Sequence, residues 1–176
     1  SSMPLYAQNE KLEIEIGDSK LKKSIPKEDS ISLSNAYFKK GITQSLLYRN
    51  YDEGIKAFDK AINLNPDNAT AYYNRGFAFM KLNQLEKAIE DYDTSIQLDQ
   101  KNKKAYLNLG KCYTLKDKQE VAIEFYKKAL KIDPDYASAH YNMAVSLSKM
   151  DRNEEALNAY SSAIEFEPEK SAYLFN

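Results

Sequence analysis

His140 and Cys112 are the only histidine and the only cysteine in this chain of 176 residues. Zinc sites need several imidazole or thiolate ligands, and one residue of each type cannot supply them. His140 occupies a repeated position that holds Tyr72 and Tyr106 elsewhere, so we predict a packing role for it. We predict that Cys112 is a small buried apolar residue. The sequence therefore predicts no catalytic site, no metal and no cofactor.

The carboxylates and the glycines also give no sign of a catalytic site. Glu86, Glu90 and Asp93 lie among lysines on one predicted helix, a pattern typical of a solvated helix face. The five glycines are scattered, and none of them belongs to a glycine-rich loop that could hold a phosphate. We therefore do not expect an enzyme.

Asparagines recur at a spacing of 34 residues, as Asn74, Asn108 and Asn142. A side-chain amide offers both a hydrogen-bond donor and an acceptor, which matches the paired N–H and C=O groups of an extended chain. Three amides in register could hold a peptide without reading its sequence.

The asparagines belong to a longer pattern with the same period. Tyr72, Gly76, Ala88, Tyr92 and Pro134 each recur 34 residues later as the same residue type. A fixed period in this range indicates a solenoid, in which each unit packs only against its neighbours. The prolines mark four units, which we assign to residues 34–68, 69–102, 103–136 and 137–170.

Each unit carries two apolar stripes at helical spacing, separated by a polar break, and therefore reads as a helical hairpin. Small residues at Gly76, Gly110 and Ala144 let the two helices approach, because a larger side chain would push the second helix away. The first unit is one residue longer than the others, between Gly41 and Tyr51.

The order of an aromatic residue, Leu-Gly, an aromatic, alanine, an aromatic and proline resembles the tetratricopeptide repeat family. The resemblance implies an all-α, right-handed superhelical solenoid of four antiparallel helix pairs over residues 34–170. Departures from the family pattern include Lys40 and Arg75, which stand where leucine is common, Gln100 in place of proline and Ser95 in place of alanine.

The same resemblance implies a concave groove formed by the first helices, with the asparagines facing a bound peptide. Lys39 replaces asparagine in the first unit. The groove positions predicted beside this column are Phe38, Ile42, Tyr73, Phe77, Leu107, Lys111, Tyr141 and Val145. The predicted rim consists of Lys81, Lys104 and Lys149.

Apolar positions with interspersed lysines favour a protein or peptide ligand that has hydrophobic side chains and some acidic character. Co-chaperone members of the family clamp the carboxylate tail of heat-shock chaperones with a set of lysines, asparagines and an arginine. Here only Asn74 and Lys104 match that set, while Phe38 and Ile42 take the places of the first lysine and asparagine. We therefore do not expect a chaperone tail as ligand.

Composition narrows the choice of partner. Lys and Arg number 25 and Asp and Glu 26, so the net charge gives no general reason to bind nucleic acid or a membrane surface. The sequence shows no apolar run of the ~20 residues that span a bilayer, and no signal peptide. The single cysteine suits a reducing compartment, and we expect a cytoplasmic protein that serves as a scaffold or adaptor.

Two segments fall outside the predicted repeats. Residues 1–33 read as a polar leader, with one alternating patch from Leu12 to Ile16 that has the period of a strand. We expect residues 10–18 to dock in the groove of the same chain or of a second copy. Residues 171–176 read as the start of a further helix, so the chain is expected to stop within a longer protein.

Two alternatives to a peptide-binding module remain open at this stage. The repeats could be a regulatory segment of a larger enzyme, or a structural repeat that associates with itself through the leader or the C-terminal edge.

Overall fold

The computed structural model describes residues 11–15 and 22–168, which form a short β-hairpin followed by helices. The strands are β1 (Lys11–Glu15) and β2 (Lys22–Pro26). The helices are α1 (Lys27–Ile42), α2 (Tyr51–Leu64), α3 (Ala69–Lys81), α4 (Leu85–Leu98), α5 (Lys103–Leu115), α6 (Gln119–Ile132), α7 (Ala137–Ser148) and α8 (Asn153–Phe166).

The helices pack as consecutive pairs, α1 with α2, α3 with α4, α5 with α6 and α7 with α8, and each pair packs on the next. This is a helical-repeat solenoid, as the 34-residue period predicts. The side chains of Asn50, Asn68 and Asn102 start α2, α3 and α5, because each accepts a hydrogen bond from the backbone N–H three residues later. We call each helix pair a repeat and its members the first and second helix.

The two helices of a repeat cross where a residue of the first helix meets an aromatic ring of the second. A Cβ atom added at Gly110 would lie within 2.6 Å of Cδ1 of Tyr126, whose side chain is fully buried. The distance is too short for two carbon atoms, so the crossing depends on glycine. The corresponding pairs in the first two repeats are Gly41 with Phe58 and Gly76 with Tyr92.

A residue in the left-handed conformation lies in the turn after each first helix. These residues are Arg49, Asn83, Asp117 and Asp151, with φ angles of 54°, 56°, 56° and 58°. In the last three repeats, the N–H of the following residue donates to the carbonyl five residues earlier, as in Gln84 to Phe79 at 2.9 Å. This bond is typical of a Schellman ending.

The first repeat absorbs its extra residue as a π-helical turn at Thr43–Leu47. The terminal hydrogen bond there runs from Asn50 to Gln44, six residues back instead of five. One inserted residue in a helix is usually accommodated as a π-turn, because the following turns then keep their register.

The leader contains more regular structure than the sequence analysis assigns to it. Strands β1 and β2 pair antiparallel, with Leu12 opposite Ile25 and Glu15 opposite Lys22. The strand period of the patch is therefore confirmed over 11–15, but these residues pair with β2 and lie against α1. The expected docking of residues 10–18 in the groove stays a prediction, because the rest of that segment lies outside the described residues.

The boundary between leader and repeats also differs from the expected one. Helix α1 begins at Lys27, inside the segment 1–33. Ser30 and Ser34 explain this, because their buried hydroxyls donate to the carbonyls of Leu64 and Ala61 on α2. The predicted helix at 171–176 lies outside the described residues.

The crossing contact gives a stability prediction. We expect Gly110→Ala to lower the free energy of unfolding by about 1–3 kcal/mol, because the added methyl group overlaps the buried Tyr126 ring. Gly76→Ala is the matched control, since its nearest new contacts are at 3.1 Å and alanine favours the helix. Thermal unfolding of both variants tests this, and equal shifts in Tm would contradict it.

The turn at Arg49 gives a second prediction. Its left-handed backbone costs a non-glycine residue about 1 kcal/mol, and asparagine tolerates this conformation better than arginine. We expect Arg49→Asn to raise the free energy of unfolding by about 0.5–1 kcal/mol. Arg49→Ala removes the same side chain without relieving the backbone, so a gain of equal size in urea unfolding of that variant would contradict the explanation.

Candidate peptide-binding groove

The first helices form the inner face of the solenoid, because α3 contacts α5 and α5 contacts α7 across the second helices that lie between them in sequence. Every residue predicted to line the groove lies on one of these helices or on the turn that follows it. Exposed members are Lys39, Lys81, Lys104 and Lys149; half-buried members are Phe38, Ile42, Tyr73, Asn74, Phe77, Lys111, Tyr141, Asn142 and Val145; buried members are Leu107 and Asn108.

The asparagine column divides into two environments. Nδ2 of Asn74 donates to the Thr70 carbonyl at 2.7 Å, and Nδ2 of Asn142 donates to the Ser138 carbonyl at 2.6 Å. Both bonds stay within the asparagine's own helix and use one amide N–H each. Asn108 is different: only 6% of it is exposed, and its Nδ2 lies 3.3 Å from the hydroxyl of Tyr73 in the preceding repeat.

Asn108 therefore corrects the expectation that all three amides face solvent. Its hydrogen bond joins the second and third repeats, and the environment of Tyr73 agrees, since burial raises the pKa of that hydroxyl. The sequence could not distinguish Asn108 from its two equivalents, because the column is identical in residue type.

Leu107 is a second correction. It is 4% exposed and packs with Ala122, Tyr126 and Ala139 between the third and fourth repeats, so it is part of the core rather than of an open groove. Its equivalents in the other repeats are aromatic and larger. Each of these rings lies against an aromatic ring of the second helix in the same repeat. The distances between ring centroids are 6.0 Å for Phe38 and Phe58, 5.8 Å for Tyr73 and Tyr92, and 5.7 Å for Tyr141 and Tyr160.

Lys111 is the charged member of an otherwise apolar column, whose other residues are Ile42, Phe77 and Val145. Burial lowers the pKa of Lys111, and the positive charge of Lys81 lowers it further. The ammonium group of Lys81 lies 5.3 Å from the centroid of the Phe77 ring. This part of the groove therefore combines an aromatic face with two cations that repel each other, an arrangement that a carboxylate would relieve.

The two residues considered first for chemistry have packing environments. Cys112 is fully buried, and burial raises the pKa of its thiol to about 12. Nε2 of His140 lies 2.8 Å from the Pro134 carbonyl, and its ring lies against Phe166. In residues 11–15 and 22–168 there is no cluster of three metal-ligating side chains. None of the helices in that part of the chain is long and apolar enough to span a membrane.

Arg75 has a role that the sequence analysis missed. Its guanidinium donates two hydrogen bonds to Asp91 of α4, at 2.8 and 2.7 Å, and one to Asp59 of α2, at 2.6 Å. It also lies over the rings of Tyr72 and Phe79. The ion network joins the first two repeats, and the signal in the sequence was an arginine where leucine is common.

Solved structures with the same architecture are numerous. A crystal structure of MamA has a TM-score of 0.73 and 26% identity, covering 80% of this chain and 81% of that one. YrrB, described as a TPR protein with an unusual peptide-binding site, has a TM-score of 0.68 and 25% identity, covering 78% and 71%. The Arabidopsis OM64 TPR domain has a TM-score of 0.63 and 26% identity, covering 70% and 98%.

Sequence comparison agrees with the fold. No curated protein matches the chain. Family models described as TPR repeat or tetratricopeptide repeat match residues 50–83 and 110–151, 69–102, and 137–170. These matches extend over most of the solenoid, and the chain belongs to the tetratricopeptide repeat family.

Proposed function

We propose that this chain is a protein–protein interaction module, a scaffold or adaptor that binds an extended peptide or short helix along the inner face of its first helices. The bound segment carries apolar side chains, and it carries a carboxylate that lies between Lys81 and Lys111. Asn74 and Asn142 hold its backbone.

The observation that supports this proposal most directly is the environment of Lys111. A lysine in an apolar column, half-buried and close to a second lysine, costs folding free energy, because both burial and repulsion oppose its charge. Residues that lower the stability of the folded state in this way are concentrated at functional sites. A ligand carboxylate would offset both costs, and the Phe77 ring beside it offers an apolar contact for a neighbouring side chain.

The aromatic rings of the groove support an apolar component of the ligand. Phe38, Tyr73 and Tyr141 are half-buried and are held by the second-helix rings behind them, so each presents a rigid edge. Rigid aromatic residues supply contact area at low entropic cost. YrrB, whose description names a peptide-binding site, shares the fold at 25% identity and is consistent with this use of it.

The asparagines provide one test. We expect Asn74→Ala with Asn142→Ala to leave thermal unfolding unchanged, because their amides bond only within their own helices, and to reduce binding by several-fold on a peptide array of varied acidic content. Asn108→Ala should behave differently, lowering the free energy of unfolding by about 1–2 kcal/mol through loss of its bond to Tyr73. If the double variant binds every peptide as wild type does, the peptide backbone is not held by these amides.

Lys111 provides a second test, with opposite effects on folding and binding. We expect Lys111→Met to raise the free energy of unfolding by about 1 kcal/mol, because it replaces a partly buried charge with an apolar chain of similar length. The same variant should lose its preference for acidic peptides on the array. Lys131→Met, at an exposed lysine on the second helix α6 and outside the predicted groove, is the control for both measurements. A destabilised Lys111→Met protein, or one that keeps the acidic preference, would contradict the proposal.

A further inference from the structure

The first repeat has a cationic cleft that is separate from the groove. The cleft has a volume of about 340 Å³ and lies between α1 and α2. Its lining residues are Tyr37, Lys40, Glu53, Lys56, Ala57, Asp59 and Lys60. The groove residues of the same repeat, Phe38, Lys39 and Ile42, are not among them.

The charges of the cleft are unbalanced. Lys40, Lys56 and Lys60 all act on the carboxylate of Glu53, which Lys56 contacts at 2.7 Å. The second carboxylate, that of Asp59, accepts a hydrogen bond from Arg75 of the next repeat. Asp52, which is not among the lining residues, also acts on Lys56. Within the cleft itself, three ammonium groups therefore face one carboxylate that is not already paired with an arginine.

Arg75, at the junction between the first and second repeats, shows which side chains pair with a cation at this position of a first helix. Lys40 precedes Gly41 in α1 as Arg75 precedes Gly76 in α3, and both glycines lie against the ring of their second helix. Arg75 faces two aspartates, Asp91 of its own repeat and Asp59 on the preceding second helix, α2. Lys40 thus occupies the position of Arg75, a cation that forms ion pairs with two aspartates in the next repeat junction.

In the first repeat both of those aspartates lack a counterpart within the described residues. The position that corresponds to Asp91 is Ala57, which forms the floor of the cleft. The position that corresponds to Asp59 would lie on a helix that precedes α1 in the chain, and the described residues contain no helix before α1. Leu33 and Tyr37, one turn apart on α1, add apolar surface beside Lys40, and Leu33 is 38% exposed.

We propose that this face docks an acidic amphipathic helix of another protein, packed against α1 as α2 packs against α3. A carboxylate of that helix pairs with Lys40 as Asp59 pairs with Arg75, and a second acidic residue one turn away meets Lys56 or Lys60. Charge complementarity identifies the occupant, because three lysines around an apolar floor select acidic over basic helices. The site is distinct from the groove of the proposed function and does not depend on it.

The chain supplies a probe for this site. A fluorescent peptide with the sequence of residues 50–66, carrying Gly54→Ala for helicity, presents Asp59 on the surface that packs against a following repeat. We expect it to bind the full chain weakly in fluorescence anisotropy, and less strongly as salt is added. Lys40→Glu should weaken binding by roughly five- to tenfold, and the peptide with Asp59→Lys should bind this variant better than it binds wild type.

Matched variants separate the possible outcomes. Lys40→Gln should give an intermediate loss and guards against a folding defect in Lys40→Glu, which circular dichroism will detect. Lys104→Glu, at the groove rim, should leave peptide binding unchanged; a loss there with none at Lys40 would place the peptide in the groove and overturn the proposal. Absence of binding at millimolar peptide would also overturn it. Sedimentation that shows self-association abolished by Lys40→Glu would assign the face to a second copy instead.

Discussion

The contact between a first-helix glycine and a second-helix aromatic ring sets the geometry of the repeat. Because the Tyr126 ring lies directly against the backbone at Gly110, the two helices approach more closely than side chains of ordinary size would allow. The ring is then buried, and its hydroxyl lies 2.9 Å from Oγ1 of Thr114, which is in turn 3.1 Å from Oγ of Ser146 in the next repeat. One close contact thus determines the hairpin and also provides a polar link to its neighbour.

The first repeat shows what happens when this geometry is perturbed by one residue. The π-helical turn brings Ser45 against α2, where a Cβ atom at position 54 would overlap its hydroxyl oxygen. Gly54 therefore occurs where the other repeats have Ala88, Ala122 and Ala156, and its cost in helix propensity follows from the insertion. Ser45 Oγ is also one of the buried side-chain atoms without a hydrogen-bond partner among the described residues, so the turn has a polar cost as well.

The sequence predicts the features that recur and misses those that distinguish one repeat from another. The period, the paired helices and the packing roles of Cys112 and His140 all follow from residue types at a spacing of 34. The burial of Asn108 does not, because it depends on the Tyr73 hydroxyl, which lies on a different helix. The pairing of 11–15 with 22–26 was also missed, since β2 has little of the alternation that marks β1.

Arg75 offers a reference within the molecule for interpreting the other cations. It stands at a packing position, and the fold compensates its burial with two carboxylates and two aromatic rings. Lys111 is half-buried in the groove, and the charge that acts on it is that of another cation, Lys81. Lys40 occupies the place of Arg75, with an alanine where Arg75 meets Asp91. A cation that the fold compensates, such as Arg75, joins two repeats, whereas Lys111 and Lys40 are the cations to which our proposals assign a carboxylate from a partner.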